Sequence, residues 1–395
     1  MAGVGIGGGP GGGLGGGVSG GSGGFCPHFG TCGGCSLQHL ADADYESRKW
    51  NQVADALART GLGDVPVAPL FRFDAGIRRR CTFLVTRTPQ GGPQGGLGGG
   101  ALVVGFRARA SHDVVAIESC AVHDRRIVEL IAPLRRLFEG LKAHRDSSEI
   151  EINLTPTGFD LVLVLERDPG LGDREAVIRF AMDFDVARIS WRRRRRRRDA
   201  WLDDAEPIIQ RRPVQAIFAG VTVDLPPACF LQASVPAEAK LVELVCDAVP
   251  GARHIADLYA GVGTFTFALA AKSSVHAVEG ARPLATVLDG AARRAGLVPR
   301  VEVEVRNLTR RPLVTAELKG FDAVVLDPPR AGAKAQVAEL AQSAVRQIAA
   351  VSCNPATFAR DARILADGGY GLKWVVPLDE FPWSNHVELV AAFAR

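Results

Sequence analysis

Beyond residue 226 the chain alternates short apolar runs with longer amphipathic ones. Runs at 254–259, 274–278, 301–305, 321–326 and 348–352 are too short for helices and are closed by turn residues, so they predict strands. Helical spacing follows Gly263 and recurs at 284–295 and 357–366, and two further strands are predicted at 372–376 and 387–393. Strand and helix in turn predict an α/β domain with a Rossmann-like, doubly wound parallel sheet that closes on an antiparallel strand. From 25 to about 225 the pattern is mixed, with helical spacing at 45–58 and short strands such as 161–165, which predicts an α+β domain. The expected division is a tail at 1–24, an α+β domain at 25–225 and the doubly wound domain at 226–395.

Composition trims this picture at its edges. Residues 1–24 are mostly glycine with no aromatic side chain, so they are expected to stay disordered. A second glycine-rich stretch, 91–100, separates strand-like runs at 81–85 and 101–106 and predicts a hairpin loop. With 47% hydrophobic residues in 395, the chain can bury cores for two or three domains. Its apolar run at 260–271 is too short for a bilayer, and its first basic residue is Arg48, so neither a membrane span nor a secretory signal is read. A cytoplasmic monomer with no membrane partner is expected. Net charge is +4 and Arg outnumbers Lys, which suits phosphate and base contacts. Seven consecutive arginines at 192–198 would repel one another in a packed element and are expected on a solvated loop, with RNA backbone contact as the alternative.

Candidate chemistry gathers at the carboxyl ends of the predicted strands, where doubly wound sheets bind ligands. Asp257-Leu258-Tyr259-Ala260-Gly261-Val262-Gly263 joins a strand to a helix, and its glycines let a ligand approach the backbone. The third glycine of a dinucleotide fingerprint is missing, and Glu279 at the end of the next strand can hold two ribose hydroxyls. S-adenosylmethionine and NAD both fit that arrangement. Asp327-Pro328-Pro329-Arg330 ends the fourth strand, and Ser352-Cys353-Asn354-Pro355 the fifth. A strand cysteine is often a small core residue. Cys353, however, faces the same crevice as Asp327 and precedes a helix whose dipole favours a thiolate. The Arg after Pro-Pro, in place of a base-stacking aromatic, favours a ring carbon over an exocyclic amine as methyl acceptor. Carbon 5 of uracil becomes nucleophilic only after a thiolate adds at carbon 6, and a base must then remove the carbon 5 proton. Glu388, near the start of the last strand, is the candidate base.

These segments resemble the RNA uracil-5 methyltransferases, class I enzymes that use S-adenosylmethionine, and the resemblance runs from Phe25 to Arg395. It is carried by Asp257 to Gly263, by Asp327 to Gly332, by Ser352 to Thr357, and by Phe381-Pro382 through Glu388, in the family's order and spacing. The resemblance implies that Cys353 is the nucleophile, Glu388 the base and Asp327 a partner of the flipped uracil. It also implies cofactor contact by Gln232, Tyr259, Gly261, Gly263, Glu279, Asn307 and Asp327. Ser234 and Asn307 stand where the family often has Asn and Asp. Arg78-Arg79-Arg80 resembles the family's basic RNA-contact segment, with an exposed charge run as the alternative. A cytosine-5 methyltransferase and an RNA-binding assembly factor with a vestigial site are the competing readings.

Four further cysteines have ligand-like spacing: Cys26, Cys32 and Cys35 close together, and Cys120 far along the chain. Spacing alone leaves zinc and an iron–sulfur cluster equally open. The resemblance implies a [4Fe-4S] cluster, as in the ribosomal RNA branch of the family, and so 23S ribosomal RNA over transfer RNA as partner. Cys81, Cys229 and Cys246 are left as core residues.

Overall fold

A computed structural model describes residues 26–87, 100–194 and 205–395. The glycine tail, most of the glycine loop and four arginines of the seven lie outside them. The chain opens with helix α1 (Asp42–Arg59) and the short strand β1 (Phe71–Arg72). Next come β2 (Arg80–Arg87), β3 (Leu102–Arg107), β4 (Val114–Ala116), α2 (Arg125–Glu129), α3 (Ile131–Gly140), β5 (Ser147–Thr155), β6 (Gly158–Leu165), α4 (Leu171–Asp183), β7 (Arg188–Arg193) and β8 (Glu206–Gln210). These strands form a sheet in the order β4-β3-β2-β5-β6-β7-β8, antiparallel except where α4 crosses between the parallel β6 and β7. Leu134 and Phe138 of α3, with Val177 and Phe180 of α4, fill one face of it. The expected hairpin is β2 paired with β3.

A small hairpin, β9 (Gln215–Phe218) and β10 (Val221–Asp224), leads into the second layer. That layer runs α5 (Val235–Ala248), β11 (His254–Leu258), α6 (Thr266–Ala270), β12 (Ser274–Glu279), α7 (Arg282–Arg294), β13 (Val301–Val305), β14 (Ala323–Leu326), α8 (Lys334–Ala341), β15 (Gln347–Ser352), α9 (Pro355–Asp367), β16 (Gly371–Asp379) and β17 (Glu388–Ala394). Its sheet has the order β1-β16-β17-β15-β14-β11-β12-β13. β11 to β15 are parallel and β17 is antiparallel to both its neighbours, as the sequence predicts.

Both faces of this sheet are covered, so its central strands are apolar throughout rather than alternating. Ile255 and Val325 point to the α5 and α7 side; Leu258, Val324 and Leu326 point to the α8 and α9 side. Helix α5 was not anticipated. Ser234 starts it by accepting the Ala237 N–H, with Pro236 in the first turn. Two elements cross the boundary expected near 225. Val53 and Leu57 of α1 pack on the α9 side of the second sheet, and β1 pairs with β16 at its edge. No helix among the described residues is long and apolar enough to cross a membrane.

Of the arginine run, Arg192 to Arg194 lie among the described residues and the other four outside them, and its first two residues belong to a strand rather than a loop. Arg192 and Arg193 close β7, and repulsion is relieved because successive strand residues face opposite ways. Arg192 pairs with Glu151, and Arg193 with Asp168 at 2.6 Å.

Candidate active site

Strand order reverses between β11 and β14, and the crevice above their carboxyl ends is a cavity of about 550 Å³. Gln232, Tyr259, Gly261, Glu279, Asn307, Asp327, Cys353 and Glu388 all line it, so residues spread over more than 150 positions of sequence share one wall. Gly263 lies just behind, its φ of +99° and a Cβ position 2.4 Å from the Phe267 ring excluding any side chain. Tyr259 itself adopts φ +64°, unusual outside glycine, and ends β11 abruptly.

The turn after β11 is fastened to the end of β12. One Glu279 oxygen accepts the Gly261 N–H at 2.9 Å and the other the Ala281 N–H at 2.7 Å. A carboxylate has about four lone-pair sites, so capacity for two hydroxyls remains. Asp257, fully buried below the turn, accepts the Thr266 hydroxyl at 2.5 Å; burial pushes its carboxyl up to about 6.

The Pro-Pro and Cys-Asn-Pro loops are also tied together. Asn354 caps α9 by accepting the Ala356 N–H, while its amide donates to the Arg330 carbonyl at 3.2 Å. The Thr357 hydroxyl reaches the same carbonyl at 3.2 Å. Antiparallel pairing of Ser352 with Leu389 then brings Cys353 and Glu388, the next residue outward on each strand, to one place.

Electrostatics here correct one expectation. The Cys353 thiol is raised rather than lowered: burial leads, followed by the charges of Glu388 and Asp327, against a weaker pull from Arg330. Burial first, and then two neighbouring carboxylates, act against the thiolate. Burial and the Asp257 charge push Asp327 up to about 7, and burial, Glu380 and Asp327 raise Glu388 well above the carboxylate range. Glu380, missed in the sequence, is buried with no hydrogen bond of ordinary geometry at either oxygen and is pushed to about 7, mainly by burial. Such a group binds its proton more tightly folded than unfolded, so its stability contribution is complete below the ordinary value and lost as pH rises through about 7. Glu380→Met is therefore expected to raise Tm by about 2 °C or more at pH 8 and hardly at all at pH 4.5, read by thermal melts at both pH values.

The three arginines Arg78, Arg79 and Arg80, where β2 begins, do not form an exposed charge run. Arg79 is buried and paired with Glu238 at 2.6 Å, and Arg78 stands over the Phe381 ring at 5.1 Å. Arg80 stacks 4.2 Å from the ring of Phe230, a large exposed aromatic at the cavity's mouth. Nothing in the sequence pairs Arg80 with a residue 150 positions away.

A second cavity, about 320 Å³, is lined by Cys26, Cys32, Cys35 and Cys120 together with Cys81, His123 and Arg78. Gly33 permits its tight entry, since its N–H donates to the Arg107 carbonyl at 2.8 Å and a Cβ would lie 2.9 Å from that oxygen. Burial raises Cys35 to about 12, and the charges of Cys120, Cys32 and Cys26 add to it. Among the described residues no three His, Cys, Asp or Glu side chains stand close enough to hold a single metal ion. Of the cysteines expected in the core, Cys229 is buried but also lines the first cavity, Cys81 is buried and lines the second, and Cys246 is partly exposed.

A doubly wound sheet with a glycine turn after one strand and a cavity-lining acid at the end of the next is the arrangement of a class I methyltransferase. The family model for tRNA (uracil-5-)-methyltransferases matches residues 300–394. An RNA methyltransferase of Caulobacter vibrioides is 40% identical over 375 residues, covering 94% of this chain and 85% of that protein. The 23S rRNA (uracil(1939)-C(5))-methyltransferase RlmD of Chromohalobacter salexigens is 34% identical, over 94% of this chain and 76% of its own. The crystal structure of Pyrococcus abyssi tRNA (uracil-54, C5)-methyltransferase with S-adenosyl-L-homocysteine superposes with a TM-score of 0.69 at 25% identity, covering 91% and 86% of the two chains. The chain belongs to the RNA uracil-5 methyltransferase family and is an enzyme that uses S-adenosylmethionine.

Proposed function

We propose that the enzyme methylates carbon 5 of a uridine in 23S ribosomal RNA through a covalent adduct on Cys353. The observation that carries this reading is the meeting of Cys353, Asp327 and Glu388 on the wall of the cavity that also holds Glu279 and Gln232. The Cys353 thiol gives its proton to solvent, its sulfur adds to carbon 6, and Asp327 presents a proton to the carbonyl oxygen on which charge develops. Carbon 5 then takes the methyl group, Glu388 removes the carbon 5 proton, and Cys353 leaves. Glu279 holds the ribose of S-adenosylmethionine. Glu279→Ala is expected to weaken cofactor binding roughly 10²- to 10⁴-fold, from two hydrogen bonds to a charged group, with isothermal titration calorimetry as the check.

Asp327 near neutrality also suits protonation of cytosine N3, which keeps cytosine as the second reading. Labelled methyl groups from S-adenosylmethionine, followed by nucleoside analysis of undermethylated ribosomal and transfer RNA, separate the readings. Label is expected in 5-methyluridine from ribosomal RNA. Label in 5-methylcytidine, or in transfer RNA alone, refutes the proposal.

The substrate choice leans on the cysteine cavity and on the similarity to RlmD. We assign Cys26, Cys32, Cys35 and Cys120 to a [4Fe-4S] cluster. A lone zinc needs thiolates about 2.3 Å from one point, whereas thiols spread around a cavity of 320 Å³ suit a larger group. Four thiolates with Arg78 beside them supply the charge such a cluster takes, and its place is structural, because methyl transfer moves no electrons. Protein purified without oxygen is expected to be brown with iron and sulfide near four per chain, and Cys35→Ser to be colourless; a colourless zinc protein refutes the assignment.

A further inference from the structure

Residues 380–387 form an irregular turn that ends on Glu388, and its backbone is held from outside its own sheet. Lys49 of α1, with no exposed surface, donates to the carbonyls of Phe381 at 3.0 Å and His386 at 2.6 Å, and to Asp379 at 2.5 Å. These bonds use all three donors of the ammonium. The Tyr45 hydroxyl donates to the second Asp379 oxygen and accepts the Trp383 N–H at 2.9 Å. A buried lysine is costly to keep charged, and an apolar residue would pack α1 as well. What an apolar residue cannot do is draw two carbonyls, one near each end of the turn, onto a single point.

We propose that Lys49 is a positioning residue for Glu388: by gathering the Phe381 and His386 carbonyls on one buried ammonium, it fixes the turn that delivers Glu388 into the cavity. The proposal rests on the reading of Glu388 as the base. Cys353, Asp327 and the turn after β11 stand on other strands and are not held by Lys49. Loss of the clamp therefore slows removal of the carbon 5 proton and leaves the earlier steps nearly intact. The step balances: the proton moves from carbon 5 to the Glu388 carboxylate, and the electron pair released at carbon 5 expels the Cys353 sulfur.

The test compares Lys49→Met, the double variant Lys49→Met with Asp379→Asn, and Glu388→Gln on ribosomal RNA with labelled S-adenosylmethionine. The double variant removes both buried charges, so it folds even where the single one leaves Asp379 unpaired. Methyl transfer in the first turnover is expected within about 3-fold of the parent, while steady turnover falls roughly 10²-fold, as for a group misplaced by about 1 Å. A methylated protein–RNA adduct should appear on a denaturing gel. If first-turnover transfer and steady turnover fall together, or neither falls, the positioning role is overturned. An adduct with Glu388→Gln but none with the Lys49 variants overturns the role of Lys49 alone. No adduct with any variant overturns the reading of Glu388 beneath it.

Discussion

Glu388→Gln is expected to leave the enzyme joined to its RNA. The glutamine keeps the size and position of the side chain but cannot accept a proton, so Cys353 can add and carbon 5 can be methylated, yet elimination has no base. Steady turnover should fall roughly 10²- to 10⁴-fold, with label from S-adenosylmethionine migrating with protein on a denaturing gel. The parent enzyme's pH profile follows from the same carboxyl. Glu388 acts as a base only when ionised, and its folded value lies well above the ordinary one, so turnover should rise with pH beyond the ordinary carboxylate range, and loss of the Asp327 proton should lower it above about 7. The raised Cys353 thiol pushes that rise in the same direction. A turnover that peaks near pH 5 would contradict both assignments.

Cys353→Ala removes the nucleophile and is expected to abolish turnover, by roughly 10³-fold or more, with no adduct under any condition. Cofactor affinity should be unchanged, because Glu279 and the turn after β11 do not depend on the thiol. Paired with Glu388→Gln the alanine should dominate: the double variant forms no adduct, since the bond that would be trapped is never made. Recovery of adduct in that double variant would mean that another group attacks carbon 6.

Much of this site was legible because its residues stand at strand ends. An apolar run followed by a glycine turn, Asp-Pro-Pro or Cys-Asn-Pro fixes where each side chain emerges, and parallel order then brings the emerging ends together. The features that stayed hidden depend on long-range packing. Lys49 shares the apolar phase of α1 with Tyr45, Val53 and Leu57, and a charge in that phase was the available signal. Its partners, Asp379 and two backbone carbonyls more than 300 residues away, carry none. Glu380 adjoins the conspicuous Phe381-Pro382 but reads as an ordinary loop acid until its burial is known. For the first two arginines of the run, local repulsion was weighed without Glu151 on a neighbouring strand and Asp168 in the turn after β6. The thiolate expectation for Cys353 weighed the local helix without burial, the leading cause, or the carboxylates that arrive from two other strands.

Release of tritium from ribosomal RNA carrying 5-tritiated uridine tests the covalent uracil mechanism most directly. The account predicts that tritium appears in water in step with methyl incorporation, one for one, and that Cys353→Ala releases none. Methyl incorporation without tritium release, or release that persists without Cys353, would contradict it.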